Sequence, residues 1–251
     1  MKKEKRPQAN SSGFKETMKN KRLEKIIEYL PPCEMLADIG ADHGYIPVEA
    51  VKSGKAQRAV AADISRGSLE KAITEIERQG LQERIEARCG SGLKVLRRDE
   101  ADVVVIAGMG GELIGEILAE DYREKFPQTA PLLILQPVQF PDRLRRFLFR
   151  EGFSILEEDL VKDEGIIYHL MIAKKAERGK EDLPSEIELE LGAINIRKNT
   201  PLLRELTEMK IRACEKLTAE LQGKSGERVR LRLKELQERR KEYEALAERE
   251  A

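Results

Sequence analysis

A chain of 251 residues is long enough for one full α/β domain plus a smaller appendage, with a core that needs no covalent staples. Its 46 Lys and Arg balance 46 Asp and Glu, so no global field draws it to nucleic acid or membrane, and any basic surface has to be local. No apolar run reaches membrane-spanning length and no signal-like apolar core follows the basic N-terminus, so a cytoplasmic protein is expected; Cys33, Cys89 and Cys214, odd in number and far apart, read as free thiols rather than disulfides or a zinc site.

The first 25 residues hold nine Lys or Arg against three acids, a composition that suits either a solvated tail or an arm that meets phosphates. A helix is expected next, with Phe14, Met18, Leu23, Ile26, Ile27 and Leu30 on its apolar face, closed by Pro31-Pro32. From Met35 to about Lys175, apolar β-rich runs alternate with helical patterns, the mark of a mostly parallel sheet covered on both faces. Strands are expected at 35–39, 58–62, 85–88, 103–107, 132–135, 153–161 and 166–173, with helices at 46–52, 65–79, 93–96, 112–120 and 141–151. Only Lys162-Asp163-Glu164-Gly165 separates the last two strands, too few residues for a parallel crossover, so they read as a hairpin. Five strands linked by helices and then a hairpin is the order of class I methyltransferases, and it disfavours a nicotinamide-dependent oxidoreductase.

Met35 to Tyr45 carries the strongest local signal: an apolar strand that breaks at Gly40 into a loop, followed by a helix that starts near Tyr45–Pro47. Gly40 lets the backbone turn sharply and approach a ligand, and the helix start offers unpaired N–H groups. Asp63 ends the second strand, 23 residues after Gly40, where an acid can accept both ribose hydroxyls of a nucleotide; a helix cap is its other reading. Cys89-Gly90-Ser91-Gly92 follows the third strand, where a small loop would lie along an adenine. The fourth ends in Ala107-Gly108-Met109-Gly110-Gly111, whose bare backbone admits a ligand or substrate.

Together these stretches resemble the TrmK family, bacterial tRNA adenine-N1 methyltransferases that use S-adenosylmethionine. The resemblance rests on Ala37-Asp38-Ile39-Gly40-Ala41-Asp42-His43-Gly44-Tyr45-Ile46-Pro47, on Ile106-Ala107-Gly108-Met109-Gly110-Gly111 and on Leu133-Ile134-Leu135-Gln136-Pro137, and Asp42-His43 is its most specific part. The chain departs from the family pattern at Ser91, where an acid is expected, and at Val138 and Ile166. The resemblance implies a cofactor site made of Asp38, Gly40, Asp63, Ile64, Gly90, Ser91, Gly92, Ala107, Gly108, Met109 and Gly110, with no metal. It also implies methyl transfer to N1 of adenosine 22 in tRNA.

Attack by adenine N1 leaves a cationic 1-methyladenine, so a carboxylate at the Watson–Crick edge would stabilise charge or take a proton from the exocyclic amine. Asp42 is the candidate, with His43 or Tyr45 to orient it or stack on the base; a cap on the following helix is its plainer reading. The N1 edge of a paired adenosine is inaccessible, so the target has to be unpaired or flipped.

Beyond Glu177 a polar linker runs to Pro184, and the rest reads as helical. Leu202, Leu206, Met209, Ala213, Leu217 and Leu221 form one stripe, and Val229, Leu233, Leu236, Tyr243 and Leu246 a second, with Gly223 to Gly226 turning between them. The expected organisation is therefore α/β: a class I (Rossmann-like) S-adenosylmethionine methyltransferase sheet over residues 1–180 and a C-terminal α-helical, coiled-coil-like hairpin over 181–251. The hairpin serves as support or as an arm on tRNA. Arg143, Arg145, Arg146 and Arg150 offer a local basic patch near the site. A monomer or weak dimer is expected. The other functional readings are a methyltransferase acting on a small molecule or protein, and a non-catalytic tRNA-binding scaffold.

Overall fold

The computed structural model describes residues 20–176 and 183–248. Its centre is a seven-stranded sheet in the order β3-β2-β1-β4-β5-β7-β6. The strands are β1 (Cys33–Ile39), β2 (Ala56–Asp63), β3 (Ile85–Cys89), β4 (Val103–Gly110), β5 (Leu132–Gln139), β6 (Phe153–Asp163) and β7 (Ile166–Lys175). β1 to β5 run parallel, while β7 pairs antiparallel with both β5 and β6.

Alternation along the central strands fixes which side chains face which layer. In β4, Val104 and Ile106 join Ile114, Leu118, Tyr122, Leu144 and Leu148 on one side. Val103 and Val105 join Ile26, Ile46, Val51 and Ile76 on the other. The helices supplying these residues are α1 (Lys21–Tyr29), α2 (Tyr45–Lys52), α3 (Arg66–Arg78), α4 (Gly111–Lys125) and α5 (Pro141–Arg150). Such a three-layer sandwich is the expected result of nearly continuous apolar strands separated by amphipathic helices. The chain leaves β1 towards β2 and comes back on the other side as β4, so the carboxyl ends of β1 and β4 flank a topological switch point, where open α/β sheets form a crevice.

Several expected boundaries shift for local reasons. Among the described residues the first helix begins at Lys21, where extended Asn20 accepts the N–H groups of Arg22 and Leu23 through its side chain and caps it. Phe14 and Met18, the start of the expected apolar face, lie outside the described residues, as do the expected basic tail and most of the linker after Glu177. The short helix at 93–96 is a single 3-10 turn, Gly92–Val95. β4 runs on through the glycine cluster to Gly110, because β5 also continues, and Met109↔Pro137 and Gly110↔Gln139 pair across irregular register.

The C-terminal part contains α6 (Glu186–Leu191), α7 (Ala193–Lys198), α8 (Pro201–Leu221) and α9 (Glu227–Ala247). Its core holds Leu191, Leu203, Leu206, Cys214, Leu236, Tyr243 and Leu246 around Leu160 of β6. Met209 and Leu217 of the expected first stripe are each 41% exposed, and Leu203 and Cys214 are buried instead. The reason is that α8 packs against β6 as well as α9, so its buried face is wider than a simple two-helix seam. The expected basic patch on α5 is also corrected. Arg145 is buried against Glu158 at 2.6 Å, Arg146 pairs with Glu186 at 2.7 Å, and Arg143 pairs with Glu112.

Among the described residues no helix is long and apolar enough to cross a membrane, and no cluster of His, Cys, Asp or Glu has the makings of a metal site. Cys33, Cys89 and Cys214 are free thiols.

Candidate active site

At the switch point lies a cavity of about 300 Å³, lined among others by Arg22, Asp38, Gly40, Asp42, His43, Tyr45, Ala107, Gly108 and Gln136. Three local devices build it. The loop after β1 is bound to β2 by the N–H groups of Gly40 and Ala41, which both donate to the carbonyl of Ala62 at 2.8 and 2.9 Å. Gly40 takes φ +82°, and a Cβ there would fall 2.2 Å from the Met109 methyl, so its lack of a side chain lets Met109 close over the loop. Gly44 at φ +69° starts α2 with its Cα hydrogens facing Ala72 of α3; a Cβ there would stand 3.1 Å from the Ala72 Cβ.

Asp38, at the end of β1, is only 2% exposed. Burial, reinforced by the nearby carboxylate of Asp63, pushes its carboxyl up to about 7. A buried acid of this kind accepts a cation readily, because the cation favours the charged form that burial penalises. Asp42 stands on the rim at φ +40°. Its Oδ2 is 2.6 Å from Nδ1 of His43 and its Oδ1 is 3.5 Å from Nζ of Lys71. Partial burial opposes ionisation, but His43, the Ser68 hydroxyl and Lys71 together hold this carboxyl below the ordinary carboxylate range. The His43 ring stacks on Tyr45, with centroids 5.2 Å apart and planes 11° from parallel. Asp42 is not the helix cap of its plainer reading: Gly44 holds the N-cap position of α2, without a side-chain bond.

Asp63 joins two loops. Its Oδ2 accepts the N–H of Asp42 at 3.3 Å and its Oδ1 that of Ser65 at 2.7 Å, while Ser65 caps α3. Ile64 follows with 72% of its surface exposed, an unusual setting for a large apolar side chain beside a site. In the next loop a Cβ at Gly90 would fall 2.6 Å from Val95, and Gly92 sits at φ +54° against Ile117, so both glycines serve packing, and Ser91 makes no cap bond. Gly108, at φ +76°, and Gly110 have open space where a side chain would be. Thus Asp38, Gly40, Asp42, His43, Tyr45, Ala107 and Gly108 converge on the cavity. Asp63, Ile64, Gly90, Ser91, Gly92, Met109 and Gly110 stand around it at the same sheet edge, outside its lining.

Two lining residues have no strong local signal. Gln136 is buried at the end of β5, with its Nε2 donating to the Pro137 carbonyl at 3.1 Å. Arg22 comes from α1; its guanidinium lies 4.6 Å from the Tyr168 ring centroid and 3.5 Å from Asp163, and its buried Nε has no hydrogen-bond partner. In the sequence Gln136-Pro137 is legible only as part of a family pattern.

Residues 19–171 match the family model described as a methyltransferase domain. The chain is 38% identical over 159 residues to the tRNA (adenine(22)-N(1))-methyltransferase of Bacillus subtilis (strain 168), a stretch that covers 63% of this chain and 66% of the relative, just under two thirds of its length. The crystal structure of the B. subtilis m1A22 tRNA methyltransferase TrmK superposes with a TM-score of 0.82 at 29% identity, over 91% of this chain and 98% of that one. A Streptococcus pneumoniae protein crystallised with S-adenosyl-L-methionine superposes with a TM-score of 0.78 at 26% identity, over 90% and 98% of the two chains. The chain belongs to the methyltransferase-domain family and, within it, to the TrmK family.

Proposed function

We propose that this protein transfers the methyl group of S-adenosylmethionine to N1 of adenosine 22 in tRNA, giving 1-methyladenosine, in the cytoplasm. The observation that carries this reading is the convergence of a buried acid, Asp38, and an ionised rim carboxylate, Asp42, on one cavity at the switch point. The relatives named for the same reaction on tRNA supply the substrate class.

The residues present fit the cofactor. Gly40 and Gly108 leave bare backbone for close approach, Asp38 suits a cationic group, and exposed Ile64 beside Asp63 suits the face of an adenine. When bound, S-adenosylmethionine supplies a methyl group already activated by its sulfonium charge, so the chain's task is positioning. Asp63 holds the ribose hydroxyls, and the Arg22 guanidinium, which lines the cavity and is only loosely paired with Asp163 at 3.5 Å, takes a carboxylate. Because its carboxyl is held low, Asp42 acts as a fixed negative charge beside the cationic product rather than as a strong proton acceptor. His43 fixes that carboxylate, and its stack with Tyr45 supplies an aromatic wall for an unpaired base.

In this reading residues 1–180 form the methyltransferase domain, with a terminal antiparallel hairpin, and residues 181–251 a helical domain with coiled-coil-like packing that acts on tRNA as a monomer or weak dimer. Incubation of the purified protein with labelled S-adenosylmethionine and unmodified tRNA transcripts, followed by nucleoside analysis, tests the proposal. 1-Methyladenosine is expected, and it should vanish when adenosine 22 is replaced by guanosine. Cofactor binding without transfer to any tRNA would overturn it.

A further inference from the structure

Phe140 joins the end of β5 to the start of α5 with φ at +54°. A left-handed backbone in a bulky aromatic residue is a genuine outlier, kept only where the surroundings over-determine it. Two features hold it here. Gly111 has no side chain, and a Cβ there would run into the Phe140 carbonyl oxygen, which also accepts the N–H of Leu144 at 3.3 Å in the first turn of α5. Pro141, at the first helical position, fixes the direction in which the chain leaves.

This strained turn does not bury the ring. Phe140 is 42% exposed, and Val138 at the strand end and Leu113 in the first turn of α4 are exposed as well. The Arg143 guanidinium lies over the Phe140 ring, 4.6 Å from its centroid, and Glu112 of α4 pairs with that guanidinium. An aromatic ring and a guanidinium are thus presented together at the surface, fixed from two helices. They stand at the same sheet edge as the active-site cavity. Gln136, four residues before Phe140 on β5, lines that cavity, and Gly108 and Gly110 of adjoining β4 leave open space where side chains would be.

Aromatic and guanidinium planes are the surfaces on which unpaired bases of RNA stack. We propose that Phe140 and Arg143 hold an unpaired base of the tRNA substrate, that of a nucleotide adjoining the target adenosine, a role that rests on the tRNA reading above. β5 lies two strands from β1, about 10 Å at ordinary strand spacing, so this platform is separate from the His43–Tyr45 wall assigned to the target base. Its size also fits a single base. Three exposed apolar side chains fall far short of the roughly 1,000 Å² that a stable protein partner needs. Stacking the neighbouring nucleotide keeps the strand splayed and leaves the target adenosine unstacked.

Phe140→Leu keeps an apolar side chain and removes the flat face. It should raise the KM for tRNA about tenfold, with a smaller change in kcat and none in S-adenosylmethionine affinity. The chain contains no tryptophan, so Phe140→Trp gives a single fluorescent reporter that restores an aromatic face. It should raise KM less than Phe140→Leu does, and its emission should be quenched by unmodified tRNA but not by fully paired RNA of the same length. Far-ultraviolet circular dichroism checks the fold of both variants, and if Phe140→Leu does not fold the tryptophan titration decides. An unchanged KM in Phe140→Leu overturns the proposal, as does tryptophan emission that tRNA and paired RNA affect alike. Failure of the native protein to methylate any tRNA is a different result: it overturns the tRNA reading, and this platform with it.

Discussion

Oδ2 of Asp42 and Nδ1 of His43 stand 2.6 Å apart on the rim of the switch-point cavity, and the His43 ring in turn stacks on Tyr45. The three residues form one unit: the imidazole aims the carboxylate and the phenol ring holds the imidazole. Asp42→Asn keeps the shape of this unit and removes its charge. We expect the single-turnover methylation rate to fall by about tenfold to a hundredfold, with tRNA affinity largely unchanged. A normal rate would remove Asp42 from the chemistry. Because the Asp42 carboxyl is held below the ordinary range, its ionised form persists on mild acidification, and its contribution should be lost only as pH falls through that lowered value.

If Asp38 meets the cofactor as proposed, its raised carboxyl should give cofactor binding a pH dependence. Its carboxyl is raised to about 7, so the empty site is largely protonated below that pH and ionised above it. A cationic ligand prefers the ionised form. Affinity for S-adenosylmethionine should therefore weaken as pH falls from about 8 to about 6, by as much as tenfold per pH unit at the acid end. Calorimetric titration across this range should find the slope in the native protein and a flat profile in Asp38→Asn. Equal slopes in both proteins would show that Asp38 does not meet the cation. The same raised value makes the ligand-free fold gain from the neutral acid, a contribution present at low pH and lost as pH rises through about 7.

Asp63→Ala should weaken S-adenosylmethionine binding by about tenfold or more, or about 1.4 kcal/mol, if its carboxylate holds the ribose. The substitution also frees the N–H groups of Asp42 and Ser65, so Asp63→Asn serves as the control that keeps an acceptor for one of them. Unchanged affinity in Asp63→Ala would take the residue out of the cofactor site.

Arg145 and Glu158, each 2% exposed in the side chain, hold the C-terminal helices to the sheet. The guanidinium donates to Glu158, to the carbonyls of Leu189 and Glu190 in α6, and to Nδ1 of His169 at 3.0 Å. Glu158→Gln leaves a buried cation without its counter-ion and should cost about 3–5 kcal/mol in urea denaturation, whereas replacing Arg145 and Glu158 together by Met and Leu should cost much less. A loss below about 1 kcal/mol for the single change would show that the pair is solvated in solution. Burial and the neighbouring Arg145 and Lys210 charges keep His169 neutral, well below its ordinary value. The unfolded chain takes up a proton that the folded one refuses, so stability from this group is lost as pH falls through the unfolded value of about 6.5.

Strand and helix order and the glycine turns were legible in the sequence because they are local. Continuous apolar runs, breaks at Gly40 and Gly108, and an acid at the end of β2 act within a few residues of one another, and the sheet they build has a crevice at its switch point. Asp42 and His43 were legible for the same reason, being adjacent. What the tertiary structure alone decided depends on partners distant in sequence. Arg145 looked like part of a basic surface until Glu158, His169 and the α6 carbonyls surrounded it. Arg22 and Gln136, 114 positions apart, meet on one cavity only because α1 and β5 are brought to the same sheet edge. The glycine cluster became strand because β5 continued beside it. Periodicity records which side of an element is apolar, but a buried charge or a ligand pocket is defined by what the fold places opposite, and that has no local signature.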